Sequence, residues 1–93
     1  GREEIRRIVD IQVERLRQRL AERDLQLVIS DPAMDRLADA GYDPVYGARP
    51  LKRAIQQQVE NPLAQRILAG EFTPGDTITV EVESDHLSFI RAA

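Results

Sequence analysis

The sequence predicts an α+β fold: about four helices packed against a small three-stranded sheet, in the order helix-strand-helix-helix-helix-strand-strand. Three observations carry this expectation. Apolar residues recur every three or four positions through the first two dozen residues, and prolines and glycines then punctuate a series of shorter helical stretches. After Thr73-Pro74-Gly75-Asp76 the hydrophobic period changes from about 3.6 to 2. The 93 residues fit a single domain, 1–93, because a chain of this size buries only about 60–65% of its unfolded surface and cannot fill a second core.

The elements follow in order. Ile5, Ile8, Val9, Val13, Leu16 and Leu20 fill an arc of about 140° at 100° per residue, predicting a long amphipathic helix over roughly 2–23 with Ile11 off the stripe. Leu25–Ile29 is a run of strand formers. Ser30 or Asp31 can cap a second helix over 31–40, with Pro32 in its first turn, Met34, Leu37 and Ala38 inward, and Gly41 ending it in a left-handed conformation. Residues 42–50 make a shaped loop in which Gly47 permits a tight approach and Tyr42, Pro44 and Tyr46 brace the chain. Pro50 starts a third helix with Leu51, Ala54, Ile55 and Val59 on one face. Asn61-Pro62 caps and restarts a fourth helix in a new direction, with Leu63, Ile67 and Leu68 inward and Gly70 as its stop. Strands over 77–83 and 86–91 alternate Ile78, Val80, Val82 and Leu87, Phe89 on one face, leaving 92 and 93 as a frayed tail.

Composition narrows the chemistry. Hydrophobic residues at 42% and charged residues at 31% suit a folded domain, and the absence of cysteine removes disulfide and thiolate chemistry. No apolar run approaches the roughly 20 residues that cross a bilayer, and the start is unlike a signal peptide. The net charge of -3, with basic and acidic residues interleaved, argues against nucleic acid as a partner. Charge is polarised along the chain: residues 1–23 carry a net +2 and residues 71–93 a net -4. His86, the sole histidine, sits beside a hairpin turn, and no serine or carboxylate pair is spaced for nucleophilic or acid-base catalysis. No phosphate loop or dinucleotide fingerprint is present, no metal site is expected, and the chain alone is not expected to be an enzyme.

Arg49 is the exception. It stands between the Gly47-Ala48 turn and the proline that opens the third helix, with Lys52 one turn on. A guanidinium mounted there can bind an anion, reinforced by the helix terminus, or can close the loop onto Asp43, Glu60 or a carbonyl; spacing alone favours the second.

The run Gly41-Tyr42-Asp43-Pro44-Val45-Tyr46-Gly47-Ala48-Arg49-Pro50-Leu51-Lys52-Arg53-Ala54-Ile55 resembles the sensor-2 region of the Clp family of AAA+ unfoldases. Its continuation, Gln56-Gln57-Gln58-Val59-Glu60-Asn61-Pro62-Leu63-Ala64, is most similar to the ClpB-type disaggregases of that family. The resemblance covers nearly the whole chain and implies the AAA+ C-terminal small, or lid, subdomain of a second nucleotide-binding module. It implies that Arg49 reaches the terminal phosphate of ATP in a catalytic, sensing role, that Ala48 and Lys52 border the nucleotide, and that Ile8, or Ile11, approaches the adenine. It also implies an intact ATPase using ATP/ADP with Mg, nothing binding tightly to this segment alone, and a stress-response chaperone with a coiled coil elsewhere. The implied partners are its own large AAA+ subdomain, neighbouring subunits of a homo-hexameric ring, unfolded or aggregated clients and a co-chaperone, in the cytoplasm. Separately, an exposed edge strand or helix surface is expected to be the ring contact, and the acidic terminal hairpin is the face on which charge reversal would test it. The alternatives are the equivalent subdomain of a protease-coupled Clp unfoldase and, in a different class, an interaction module whose Arg49 loop binds a partner carboxylate.

Overall fold

The computed structural model describes residues 2–92. Helix α1 (Arg2–Ala21) leads to strand β1 (Gln26–Ile29) and helix α2 (Asp31–Ala40); after the loop, α3 (Leu51–Ile55) runs through a π-helical turn (Gln56–Glu60) into α4 (Asn61–Leu68). The chain closes with β2 (Thr77–Glu83) and β3 (His86–Ala92), so the expected element order is found. The sheet order is β1-β2-β3, with β1 parallel to β2 and β2 antiparallel to β3. Ala92 is the last strand residue, opposite Thr77, and Ala93 lies outside the described residues.

One face of the sheet makes the core. Leu27 and Ile29 lie beside Ile78 and Val80 in register, Phe89 sits opposite Val80, and all five are buried against Val9 and Val13 of α1 and Leu37 of α2. The other face is open: Val28, Thr79 and Ile90 form one row across the three strands, with Glu81 and Glu83 further along β2. Helix α1 buries Ile5, Val9, Val13, Leu16 and Leu20, whereas Ile8, placed in the stripe by its spacing, lies at the stripe's margin and is partly exposed. Arg6 joins α1 to α2 through Asp31 and Asp35, and the Nε of Arg17 donates to the carbonyl of Leu27 on the outer strand. Burial works against the charge of Arg6, but the hydrogen bonds to Asp31 and Asp35 and the charges of Asp35 and Asp10 outweigh it and raise its pKa above the ordinary arginine value.

Helix ends explain several boundaries. Helix α1 stops before 23 because Leu25 N–H donates to Leu20 C=O and Asp24 N–H to Ala21 C=O, a six-residue closure that needs a left-handed residue. Asp24 fills that position at φ 60°, and the flanking Leu20 and Leu25 are both buried. Ser30 caps α2, its Oγ accepting from Ala33 N–H. Gly41 departs from expectation, with φ -92° and ψ 2° rather than a left-handed conformation. Its need for glycine is steric: a Cβ there would stand 2.4 Å from Leu51 Cδ1 and 2.7 Å from Leu51 Cα. Gly47 reverses the other way, since at φ +65° its Cβ position faces open space and the left-handed backbone is what glycine supplies.

The expected cap at Asn61 does not form. Asn61 has α-helical φ -67° and ψ -48°, and its N–H donates five residues back to Gln56 C=O. The wide turn accommodates Pro62, which has no N–H for the carbonyl one turn earlier and whose ring crowds it. It also serves packing. Leu51, Ile55, Val59, Leu63 and Ile67 recur at a strict four-residue spacing, which in a regular α-helix drifts about 40° per step, or about 160° over the run. One residue absorbed in a π turn takes back about 100°, so the first four remain buried and Ile67 is half-buried. Leu68, expected inward, is 85% exposed, because it falls one residue beyond this row.

Gly41→Ala forces a Cβ onto the main chain of Leu51, and thermal unfolding is expected to show a loss of about 1–3 kcal/mol; an unchanged melting temperature contradicts the steric account. Asp24→Gly relieves a left-handed non-glycine residue and is expected to raise stability by about 0.5–1 kcal/mol, read as a higher melting temperature.

Candidate functional site

The loop between α2 and α3 closes on itself before it reaches Arg49. Asp43 and Gly47 exchange both main-chain hydrogen bonds at 2.7 Å, and the Asp43 carboxylate accepts from Val45 N–H at 2.7 Å and Tyr46 N–H at 3.0 Å. Aspartate suits this because a short carboxylate can satisfy the amides two and three residues on, which a tight turn otherwise leaves free. Arg49 N–H then donates to Tyr46 C=O, and Leu51 N–H to Ala48 C=O, so turn follows turn into α3. The far end is anchored by Leu51, which is 1% exposed and seated against Gly41. Bracing thus comes from Asp43, Gly47 and Leu51; Tyr42, Pro44 and Tyr46, expected to brace the loop, are exposed.

Arg49 is exposed on this frame, with its guanidinium over the Tyr46 ring at 5.1 Å from the centroid. Neither carboxylate suggested as its partner is taken by it. Asp43 serves the loop amides, and Glu60 accepts from Arg19 Nη2 at 2.8 Å. Among the described residues the guanidinium therefore forms no ion pair, and its donors away from the ring face solvent. At the start of α3, Pro50 has no N–H and that of Leu51 is already bonded to Ala48, so neither is available to an anion beside Arg49.

The remaining residues lie around Arg49 in different ways. Ala48 is half-buried and packs on the core, so it fixes the main chain beside Arg49 rather than projecting a polar group. Lys52 is exposed and lines an open groove with Gln12, Arg15 and Gln56, between α1 and the start of the α3–π rod. Following that groove toward the start of α1 leads to Ile8, on the same side of the helix as Gln12. Ile8 is 37% exposed and Ile11, on the outer surface of α1, 52% exposed. Both are available to an external apolar group, and Ile8 is on the side nearer α3. Sequence spacing did not single out the Tyr46–Arg49 contact, although an aromatic three residues before a loop arginine is a legible signal.

A family model described as the C-terminal, D2-small domain of ClpB protein matches residues 1–80. The chain is similar to Chaperone protein ClpB of Pseudomonas putida, 62% identical over 89 residues, which is 96% of this chain and 10% of that protein. It is 61% identical over 87 residues to Chaperone protein ClpB of Vibrio cholerae, covering 94% of this chain and 10% of that protein. It is 55% identical over 92 residues to Chaperone protein ClpB of Rhizobium meliloti, covering 99% and 11%. The chain spans about a tenth of the length of the curated relatives it matches.

Proposed function

The chain belongs to the ClpB D2-small family, the C-terminal, D2-small domain of ClpB protein, and from that premise we propose that it is the nucleotide-sensing and ring-assembly subdomain of an ATP-driven disaggregase. The observation that carries this is the exposed guanidinium of Arg49, mounted on a closed loop, with the two carboxylates proposed from sequence as its partners, Asp43 and Glu60, engaged elsewhere. The donor set fits a terminal phosphate. A planar cation with unoccupied in-plane N–H groups binds phosphate oxygens through charge-assisted hydrogen bonds. Ala48 and Lys52 border the same end, and Ile8, with Ile11 beyond it, offers apolar surface to a base. Bound ATP with Mg supplies the bond that is cleaved and the charge that changes. Arg49 holds the terminal phosphate while it is attached and loses that partner when it leaves, so the small subdomain is free to rotate as a body against its large neighbour. Leu51, fixed in the core, transmits that rotation to the helices rather than letting the loop flex.

The open sheet face supports the second half of the proposal. Val28 and Ile90 are 49% and 48% exposed on either side of Thr79 in one row, with Glu81 and then Glu83 further along β2, a partly apolar face with an acidic end suited to a basic neighbouring surface. In a homo-hexameric ring this face meets the next subunit, so rotation of one subunit pulls on its neighbour and, through the ring, on an unfolded or aggregated client. A co-chaperone that delivers clients and a cytoplasmic setting belong to the same proposal. Among the described residues no helix is long and apolar enough to cross a membrane.

In the full-length protein, Arg49→Ala is expected to lower steady-state ATP hydrolysis roughly ten-fold or more while the circular dichroism of the domain is unchanged. Unchanged hydrolysis contradicts phosphate sensing and favours an interaction module. The double change Glu81→Lys with Glu83→Lys is expected to weaken hexamer formation in a salt-dependent manner, measured by sedimentation; identical assembly at low and high salt contradicts the ring contact.

A further inference from the structure

We propose that Tyr46 is a positioning residue for Arg49, its ring holding the guanidinium where its outward donors meet the terminal phosphate of a nucleoside triphosphate. This rests on the phosphate-sensing role proposed above. The guanidinium carbon stands 5.1 Å from the ring centroid, within the range of a cation over an aromatic face. The ring is 61% exposed, so packing of the core does not account for its place. The segment between the two residues is tied at both ends: Tyr46 N–H donates to Asp43 Oδ1, and Tyr46 C=O accepts from Arg49 N–H at 3.3 Å. Gly47, at φ +65°, supplies the reversal between them. The backbone therefore presents ring and guanidinium to each other without either reaching across the surface.

The chemistry of the two groups suits a sensor. A ring below the cation attracts its positive charge but accepts none of the strong in-plane hydrogen bonds, so those remain for phosphate oxygens. A carboxylate in the same place would instead occupy them and compete with the ligand. Here the loop carboxylate, Asp43, is held by the amides of Val45 and Tyr46. An exposed arginine without such a surface samples many rotamers and must be ordered when it binds; the ring reduces that ordering beforehand.

The experiment is steady-state ATP hydrolysis by the full-length protein carrying Tyr46→Phe or Tyr46→Leu, each in the presence of Arg49 and in the Arg49→Ala background. The phenylalanine variant keeps the face and is expected to stay within about two-fold of the parent kcat/KM, whereas the leucine variant is expected to lose roughly two- to five-fold. In the Arg49→Ala background the leucine change is expected to cost nothing further, because the guanidinium it positions is gone. The proposal is overturned if Tyr46→Leu matches the parent, if Tyr46→Phe is impaired equally, or if the leucine loss persists undiminished without Arg49. A normal rate for Arg49→Ala alone overturns the sensing role itself and is seen separately, in the single variant.

Discussion

The structure depends on the close approach of Leu51 to Gly41. A hydrogen in place of a methyl group at Gly41 lets the side chain and main chain of Leu51 settle where any Cβ would collide. That contact joins the end of α2 to the beginning of α3 and draws the intervening nine residues into a loop of fixed span. Asp43 and Gly47 then close the loop from within, by two main-chain hydrogen bonds and the carboxylate's acceptance of two amides. Arg49 lies between these two fixtures, two residues before Leu51 and two after Gly47. Its position follows from core packing on one side and turn chemistry on the other, while its side chain contributes to neither.

This separation is what makes an exposed arginine useful. A cation that stabilised the fold through a buried ion pair would resist exchange of partners, because breaking such a pair leaves an uncompensated charge. Arg49 leaves its loop satisfied whether or not an anion is present. The α3–π–α4 rod carries the consequence away from the site, since four residues along it, from Leu51 to Leu63, are buried in one core. In the proposed switch, motion imposed at the loop would be shared with the sheet and with α1.

Much of this was legible in the residues themselves. The α1 stripe, the Ser30 cap and the change of period after Asp76 all read through to observed elements, because each is a local preference that tertiary packing reinforces. Three features were not. The π turn hides behind an Asn-Pro pair that imitates a cap, and the clue to it is the strict four-residue recurrence from Leu51 to Ile67, which no regular α-helix can keep on one face. Gly41 looks like a helix stop, yet its requirement comes from Leu51, a contact invisible at the level of neighbours in sequence. Strand order, with β1 pairing in parallel to the distant β2, is decided by the helical crossover between them and not by either strand. At the site, the Gly-Ala-Arg run marked Arg49, but the choice between a loop-closing and a free guanidinium required knowing that Asp43 and Glu60 were already engaged.

The central claim is that the free guanidinium of Arg49 meets the terminal phosphate of a nucleotide held on the neighbouring large subdomain. The most direct measurement is a structure of the full-length protein with a non-hydrolysable ATP analogue, in which the distance from the Arg49 guanidinium nitrogens to the terminal phosphate oxygens is read. The account predicts a charge-assisted hydrogen bond of about 2.7–2.9 Å. A guanidinium whose donors remain turned to solvent, with the phosphate bound by other groups, would contradict it.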